Sequence, residues 1–244
     1  MLAGSLSPSP DDDDHMDTGP TIGTATDSTF TFSLNDDNDE DDTTYFNDDI
    51  RSLTQWWINE RCAPELLMYQ ADLVESLMEM MEAQAGIIES KSSDTPDSAF
   101  LVVLYQQEME RIKFIIRSYL RTRLAKIQRH TLHILREAEY RSRLSIDEIM
   151  FAEKYQELLA HHFQKFALEE LPDYLQRLDD TTENLTMVSR PDLEDAVFCR
   201  IKEQIGVFQL ESSDEAIEMR PNNIYFLRYN AIRRLMEDGK VDLV

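Results

Sequence analysis

A basic helix over residues 108–127 constrains the fold of this otherwise acidic chain more than any other segment. Lys113, Arg117 and Arg121 recur every fourth residue along one face of it. Apolar residues recur every three or four positions on a neighbouring face, the spacing of a helix that buries one side. They are Met109, Ile112, Ile116, Tyr119 or Leu120, Leu124 and Ile127. The apolar side needs other elements to pack against, and the basic side must meet acids, phosphates or water.

More than half of the negative charge lies in the first fifty residues. The 244 residues carry a formal net charge of −24, and residues 1–50 contribute 14 acidic and no basic side chains, which leaves −10 for the rest. The composition of residues 1–47 cannot bury enough apolar surface to fold, so we expect a disordered acidic tail. Phe30, Phe32 and Leu34 alternate within it, and a short docking motif is the alternative to a purely solubilising tail.

The cysteine and hydropathy patterns point to a soluble intracellular protein. Cys62 and Cys199 are far apart and belong to no Cys-x-x-Cys pattern, which predicts a reducing compartment with neither disulfides nor a zinc site. No apolar run approaches the roughly 20 residues that a membrane helix needs, and the first residues do not read as a signal peptide. We therefore expect no membrane partner.

The periodicity predicts an α+β fold that begins with a mainly α-helical A domain over residues 48–178. A helix is predicted over residues 66–88, and a polar break at residues 90–98 would let it run antiparallel to the basic helix. Acidic residues between positions 75 and 89 form a stripe on this first long helix. We expect that stripe to face the basic one, so that the domain is a bundle of long antiparallel helices.

A third helix is predicted from Ser145 to about Glu170. Ser145 and Glu148 have the spacing of a capping box, in which each side chain satisfies a free backbone amide of the first helical turn.

The spacing of apolar residues changes after residue 178. This change predicts a linker over residues 179–190 and a small β-rich B domain over residues 191–244. Its predicted elements are strands at 197–201, 206–210, 215–219 and 241–244 and a helix at 229–237. About fifty residues make a marginal domain, so we expect it to lean on another surface.

The sequence offers little catalytic chemistry. Its six glycines form no phosphate-binding loop, so nucleotide hydrolysis is not expected. His130, His133 and Glu137 have helical spacing that could hold a metal, but the pattern is weak and ordinary histidines are the favoured interpretation. We therefore expect no cofactor, no metal and no catalytic residue.

The basic stretch of residues 111–143 admits two interpretations. It contains ten Lys or Arg residues and two acids, a density that can serve DNA binding. Aromatic residues are sparse in it and no recognition motif accompanies it, so we favour pairing with acids of this chain or of a partner subunit. Direct DNA binding stays open as an alternative, as does an acidic-tailed chaperone of histones or other basic proteins, which the tail suggests.

Several blocks in order along the chain resemble the Sld-five family of the GINS complex. They comprise residues 57–67, residues 108–111 with 117–127, residues 191–193, and residues 227–244. The resemblance implies a helical A domain and a small β-rich B domain in a non-catalytic structural subunit of a heterotetramer with three Psf subunits. It further implies a role in the replicative helicase beside the Mcm motor ring and its Cdc partner, and hence a nuclear location. Contacts with replisome adaptors or polymerases would be compatible with that role.

On this interpretation the function is interface chemistry. Aromatic and arginine side chains are the types enriched where partner proteins are held tightly. The residues that we expect to contact partners are Trp56, Trp57, Glu65, Leu66, Arg117, Tyr119, Arg121, Arg123, Leu227 and Tyr229. For Trp57 and Tyr119, a place in the chain's own core is an equally good interpretation.

Overall fold

The computed structural model describes residues 40–90, 96–182, 185–209 and 216–244. It confirms the α+β class, with a helical region followed by a small region of antiparallel strands. The helices are α1 (Glu40–Cys62), α2 (Ala71–Ser90), α3 (Pro96–Arg129), α4 (Thr131–Arg136), α5 (Ala138–Arg141), α6 (Ile146–Phe166) and α7 (Tyr229–Glu237). The strands are β1 (Thr181–Thr182), β2 (Leu185–Thr186), β3 (Ala196–Ile201), β4 (Gly206–Gln209), β5 (Ala216–Met219), β6 (Ile224–Arg228) and β7 (Val241–Leu243).

Helices α2 and α3 run antiparallel, as expected from the polar break between them. The backbone N–H of Gln70, just before α2, donates to the hydroxyl of Tyr119 near the end of α3. Ile88 at the end of α2 packs with Tyr105 near the start of α3. Helix α1 completes this core, and the buried residues of the three helices are Ile50, Leu53, Val74, Leu77, Ile112, Ile115, Ile116 and Tyr119.

The start of α2 differs from the prediction. The helix begins at Ala71 rather than at residue 66, and residues 63–70 form an irregular connection from α1. Leu66 and Leu67 are buried in that connection, where each packs into a different hydrophobic cluster. The apolar spacing that suggested a helix therefore reflects two separate anchors.

The start of α1 also differs from the expected boundary of the tail. The helix begins at Glu40, eight residues before the boundary expected between the tail and the A domain. The remainder of that tail, including Phe30, Phe32 and Leu34, lies outside the described residues.

The predicted capping box is confirmed at the start of α6. The Ser145 hydroxyl accepts a hydrogen bond from the Glu148 N–H at 3.2 Å, and the Glu148 carboxylate accepts one from the Ser145 N–H at 3.0 Å. The helix ends at Phe166, and a short 3₁₀ turn, Leu168–Glu170, continues to the predicted end point.

The C-terminal region is built on a three-stranded antiparallel sheet in the order β6-β3-β7, with β4 and β5 paired separately. Helix α7 has the predicted bounds, and the predicted strands agree within a residue wherever the structure describes them. Two features were missed: strand β6, and the small β1–β2 hairpin inside the predicted linker. β6 follows a turn in which Asn222 has a φ of 65°, a left-handed conformation that asparagine tolerates better than most residues.

The core of this region includes residues from the helical region. Tyr229, Ile232 and Met236 of α7 pack on the inner face of the sheet. Ala63 and Leu67, from the connection after α1, complete the same cluster. The expectation that the small domain leans on another surface is thus met within this chain.

Candidate partner-binding surfaces

Arg123 is fully buried at the centre of the helical region, and its guanidinium is satisfied on all sides. Nε and Nη2 donate to the two oxygens of Glu148 at 2.7 and 2.9 Å, a bidentate pair. Nη1 donates to Glu60 at 3.1 Å and to the Leu67 carbonyl at 2.8 Å, and Nη2 also donates to the Arg143 carbonyl at 3.0 Å. The residue thus ties α1, α3 and α6 to two connecting segments, because a buried charge is stable only when paired this completely.

Glu65 forms a second buried centre, where the helical region meets the C-terminal region. One carboxylate oxygen accepts from the hydroxyl of Tyr229 at 2.8 Å and from Nε of Arg233 at 2.7 Å, both on α7. The other accepts from the hydroxyl of Tyr140 at 3.0 Å and pairs with Arg143 at 3.1 Å. Burial next to this carboxylate raises the pKa of Tyr140 to about 12. Glu65 therefore joins the two regions by charge-assisted hydrogen bonds.

Two amide side chains of α1 complete the junction at strand β7. Asn59 Oδ1 accepts from the backbone N–H of Leu243 at 2.8 Å. Gln55 Nε2 donates to the carbonyl of Leu243 at 3.1 Å. These bonds replace those that a neighbouring strand would make to the edge of the sheet.

The residues predicted to contact partners fall into three groups. Six are buried in contacts within the chain: Glu65, Leu66, Tyr119, Arg123, Leu227 and Tyr229. The two tryptophans are half-buried, Trp56 between two core clusters and Trp57 with its ring 6.1 Å from that of Phe114. Arg117 and Arg121 are exposed, and neither makes an ion pair with any residue that the structure describes. Of the ten predicted residues, these two arginines are the ones that the described structure leaves exposed to another molecule.

The acidic and basic stripes do not pair as expected. Within the described ranges, the ion pairs from α3 to other helices join Arg123 and Lys126 to Glu60 of α1 and Arg123 to Glu148 of α6. None of them reaches Glu75, Glu79, Glu82 or Glu89 of α2. Several other basic side chains of the stretch pair with other acids of this chain, namely Arg111, Lys113, Arg136, Arg141 and Arg143. Much of the basic stretch is therefore already neutralised by this chain.

The second half of α6 carries an apolar face that the described part of the chain leaves exposed. The helical stripe that buries Glu148 and Ala152 continues through Leu159 to Phe163 and Phe166, which are exposed. Three more large side chains, Leu171, Tyr174 and Leu175, are exposed in the segment that follows. We call Phe163, Phe166, Leu171, Tyr174 and Leu175 the α6 apolar face. Sequence reasoning did not single it out, because periodic spacing predicts burial without indicating which chain provides the cover.

The outer face of the sheet is also apolar. Phe198 of β3 and Phe226 of β6 lie directly opposite each other, with ring centroids 4.7 Å apart, and both are more than half exposed. Ile224 extends this surface along β6.

The predicted metal pattern is occupied by other contacts. His133 Nδ1 lies 3.2 Å from Glu137, and His130 Nδ1 lies 3.1 Å from the hydroxyl of Ser189. Across the described ranges, no three His, Cys, Asp or Glu side chains are grouped so as to hold a metal ion. In those same ranges no helix combines the length and hydropathy of a membrane span.

Comparison with known proteins assigns both regions to one family. A model described as GINS complex protein helical bundle domain matches residues 68–167, and one described as DNA replication complex GINS protein SLD5 C-terminus matches residues 191–244.

Full-length relatives agree with the two models. The DNA replication complex GINS protein SLD5 of Chaetomium globosum is 38% identical over 199 residues, which cover 80% of this chain and 90% of that protein. The protein of the same name from Arabidopsis thaliana is 35% identical over 201 residues, with coverages of 80% and 91%. That of Mus musculus is 35% identical over 206 residues, with coverages of 80% and 88%. The chain therefore belongs to the SLD5 family of GINS proteins.

Proposed function

We propose that this chain is a non-catalytic structural subunit of a GINS heterotetramer that acts in DNA replication. Its immediate partners in this proposal are three Psf subunits. Through the tetramer it braces the Mcm motor ring and its Cdc partner, which places it in the nucleus. The names of its relatives, DNA replication complex GINS proteins, support the assignment to replication. We further propose residues 48–178 and 191–244 as its two domains, in line with the ranges of the two family models.

The observation that carries the proposal is the α6 apolar face. Phe166 is 68% exposed and Tyr174 is 73% exposed. Large apolar side chains that are exposed along one helix, as Phe163 and Phe166 are, and in the segment that follows it commonly mark protein interfaces. Since Phe163 and Phe166 continue the stripe that packs on this chain's own core, another helix laid along α6 would extend the bundle in the same geometry. We propose that a Psf subunit provides that helix.

Arg117 and Arg121 supply a second, polar part of the proposed interface. They lie on the solvent side of α3 together with Phe114, which is 57% exposed and stacks edge-on against Trp57. Arginine beside exposed aromatic rings is the composition typical of binding hot spots. Arg123 and Lys126 are paired within the chain. Arg117 and Arg121 pair with no described residue and are therefore available to bind acids on a partner.

The α6 apolar face can be tested by recovering the tetramer from cells that express all four GINS chains. The double variant Phe163→Asp and Phe166→Asp places two charges on the face. We expect at least a tenfold lower recovery of the four-chain particle in native mass spectrometry, since the charges would be buried without partners.

The matched control is His161→Asp, which adds a charge to an exposed position on another side of the same helix. It should leave tetramer recovery within about twofold of the unmodified chain. Circular dichroism of the isolated chains should show unchanged helix content for all variants. Normal assembly of the double variant would refute the interface, and so would an equal loss with the control.

Two other functions are less well supported. Direct DNA binding rests on the basic stretch, much of which pairs with acids inside the chain. The histone-chaperone alternative rests on the acidic tail, most of which lies outside the described residues.

A further inference from the structure

A groove on the helical region combines an apolar floor with an acidic rim. It has a volume of about 840 Å³ and lies between α2, the side of α3 at Lys113, and the first turn of α6. Val74, Met78 and Met81 of α2 line it together with Ile146 of α6. The acidic residues on its rim are Glu75, Glu79 and Glu82 of α2 and Asp147 of α6. We call this feature the acidic groove.

The described part of the chain leaves both the charges and the apolar floor of the acidic groove without partners. Its four carboxylates are exposed, and no described residue forms an ion pair with any of them. Among the described residues of the lining, the cation is Lys113, which is paired with Glu110 at 2.8 Å. Met78 is 54% exposed and Ile146 is 79% exposed, so the floor also lacks cover. A molecule that complements the groove would therefore need apolar groups for the floor and basic groups for the rim.

From this combination we infer that the acidic groove binds a basic amphipathic helix of a partner protein. Helices with one apolar stripe dock in hydrophobic grooves through side chains at positions i, i+3, i+4 and i+7. Methionines suit such a floor because their flexible side chains adapt to different apolar partners. Glu75 and Glu82 lie two helical turns, about 10 Å, apart along α2. Lysines or arginines that recur at the same spacing beside the apolar stripe of a docked helix would face these carboxylates.

Charge excludes the other kinds of occupant. A purely apolar peptide would bury carboxylates without partners, which costs binding energy. Nucleic acid would be repelled by the rim. Among the described residues of a second copy of this chain, α3 carries the exposed and unpaired Arg117 and Arg121, but its apolar stripe is already buried in its own core and is not free to fill the groove.

The acidic groove is separate from the proposed assembly interface. Ile146 and Phe163 are 17 residues apart on α6, which corresponds to about 25 Å along the helix. Binding at the groove would therefore leave the α6 apolar face free for a sibling subunit.

The inference can be tested with the full chain and a defined probe. The probe is a fluorescein-labelled peptide of 18 residues that contains only lysine and leucine, with leucines on one helical stripe. Fluorescence anisotropy at about 0.15 M salt measures its Kd. We expect the double variant Glu75→Lys and Glu79→Lys to raise the Kd at least tenfold. Met78→Ser, which removes part of the floor and keeps every charge, should raise it about fivefold.

Two controls distinguish binding in the groove from non-specific electrostatic attraction of the basic peptide to an acidic protein. The first is Glu157→Lys with Glu203→Lys, which changes the net charge equally at two exposed positions outside the groove and should change the Kd less than twofold. The second is a peptide of the same composition with its leucines scattered around the helix, which should bind at least tenfold more weakly. Equal weakening by both double variants, equal binding of both peptides, or no binding at all would overturn the inference.

Discussion

Arg121 and Arg123 lie two residues apart on α3 and have opposite environments. Arg121 is exposed and makes no ion pair with the described residues, whereas Arg123 is fully buried and donates to Glu60, Glu148 and two carbonyls. The side chains are chemically identical, so their positions around the helix decide their roles. One can reach a partner, and the other holds the helices together.

The comparison of these two arginines gives a stability prediction. Arg123→Met leaves Glu60 and Glu148 buried without their shared cation, and we expect a loss of about 3–5 kcal/mol in the free energy of unfolding. Arg121→Met should change it by less than about 0.5 kcal/mol, as is usual for exposed sites. Urea unfolding followed by circular dichroism measures both. Similar losses in the two variants would mean that the buried ion-pair network is not formed in solution.

The raised pKa of Tyr119 predicts how the free energy of unfolding depends on pH in the alkaline range. Burial raises the pKa of its hydroxyl to about 12, above the value near 10 of an unfolded chain. Below pH 10 the Tyr119 hydroxyl keeps its proton in both the folded and the unfolded chain, so this contribution to stability is fully present. Between pH 10 and 12 only the unfolded chain loses the proton, and the free energy of unfolding falls. At pH 11, one unit above the unfolded value, this residue accounts for a loss of about 1.4 kcal/mol.

The variant Tyr119→Phe isolates that contribution, since it lacks the ionisable group. We expect the difference in unfolding free energy between pH 8 and pH 11 to be about 1.4 kcal/mol smaller in the variant than in the unmodified chain. Urea titrations at the two pH values give the comparison. Identical pH dependence in both proteins would contradict a raised pKa at Tyr119.

At the scale of elements, features set by local interactions could be predicted from the sequence, whereas features set by contacts distant in the sequence could not. The start of α6 was predicted correctly because Ser145 and Glu148 act on each other within one helical turn. The start of α2 was wrong because Leu66 and Leu67 pack with residues distant in the sequence. The burial of Glu65 and Tyr229 against each other was missed for the same reason, since 164 residues separate them. The GINS resemblance itself was confirmed by the family models.

The capping box of α6 gives a prediction at this scale. Ser145→Ala removes the acceptor for the Glu148 N–H and should cost about 1 kcal/mol of unfolding free energy, the usual value for an N-cap. Ser52→Ala is the matched control, because Ser52 is exposed in α1 and caps no helix. Denaturant unfolding of the two variants should separate them clearly. A cap variant as stable as the control would show that the Glu148 side chain alone suffices to fix the helix start.

At the scale of the whole molecule, Glu65 joins the two regions. Its carboxylate is shared among Tyr140 and Arg143 of the helical region and Tyr229 and Arg233 of α7. We expect Glu65→Gln to loosen this junction, because the amide keeps the size but loses the charge that two arginines require. Hydrogen exchange should accelerate at least tenfold in residues 229–243 and remain unchanged in the middle of α2 and α3. Faster exchange throughout the chain would instead indicate a general loss of stability.

The hydrogen bond between Asn59 and Leu243 bears on how the chain folds as it is synthesised. The two residues are 184 positions apart, and the C-terminal core also needs Ala63 and Leu67. A nascent chain therefore presents the docking surface on α1 long before strand β7 leaves the ribosome. Contacts of such long sequence separation form slowly. We infer that the helical region acts as an internal template, on which the last strand closes the molecule.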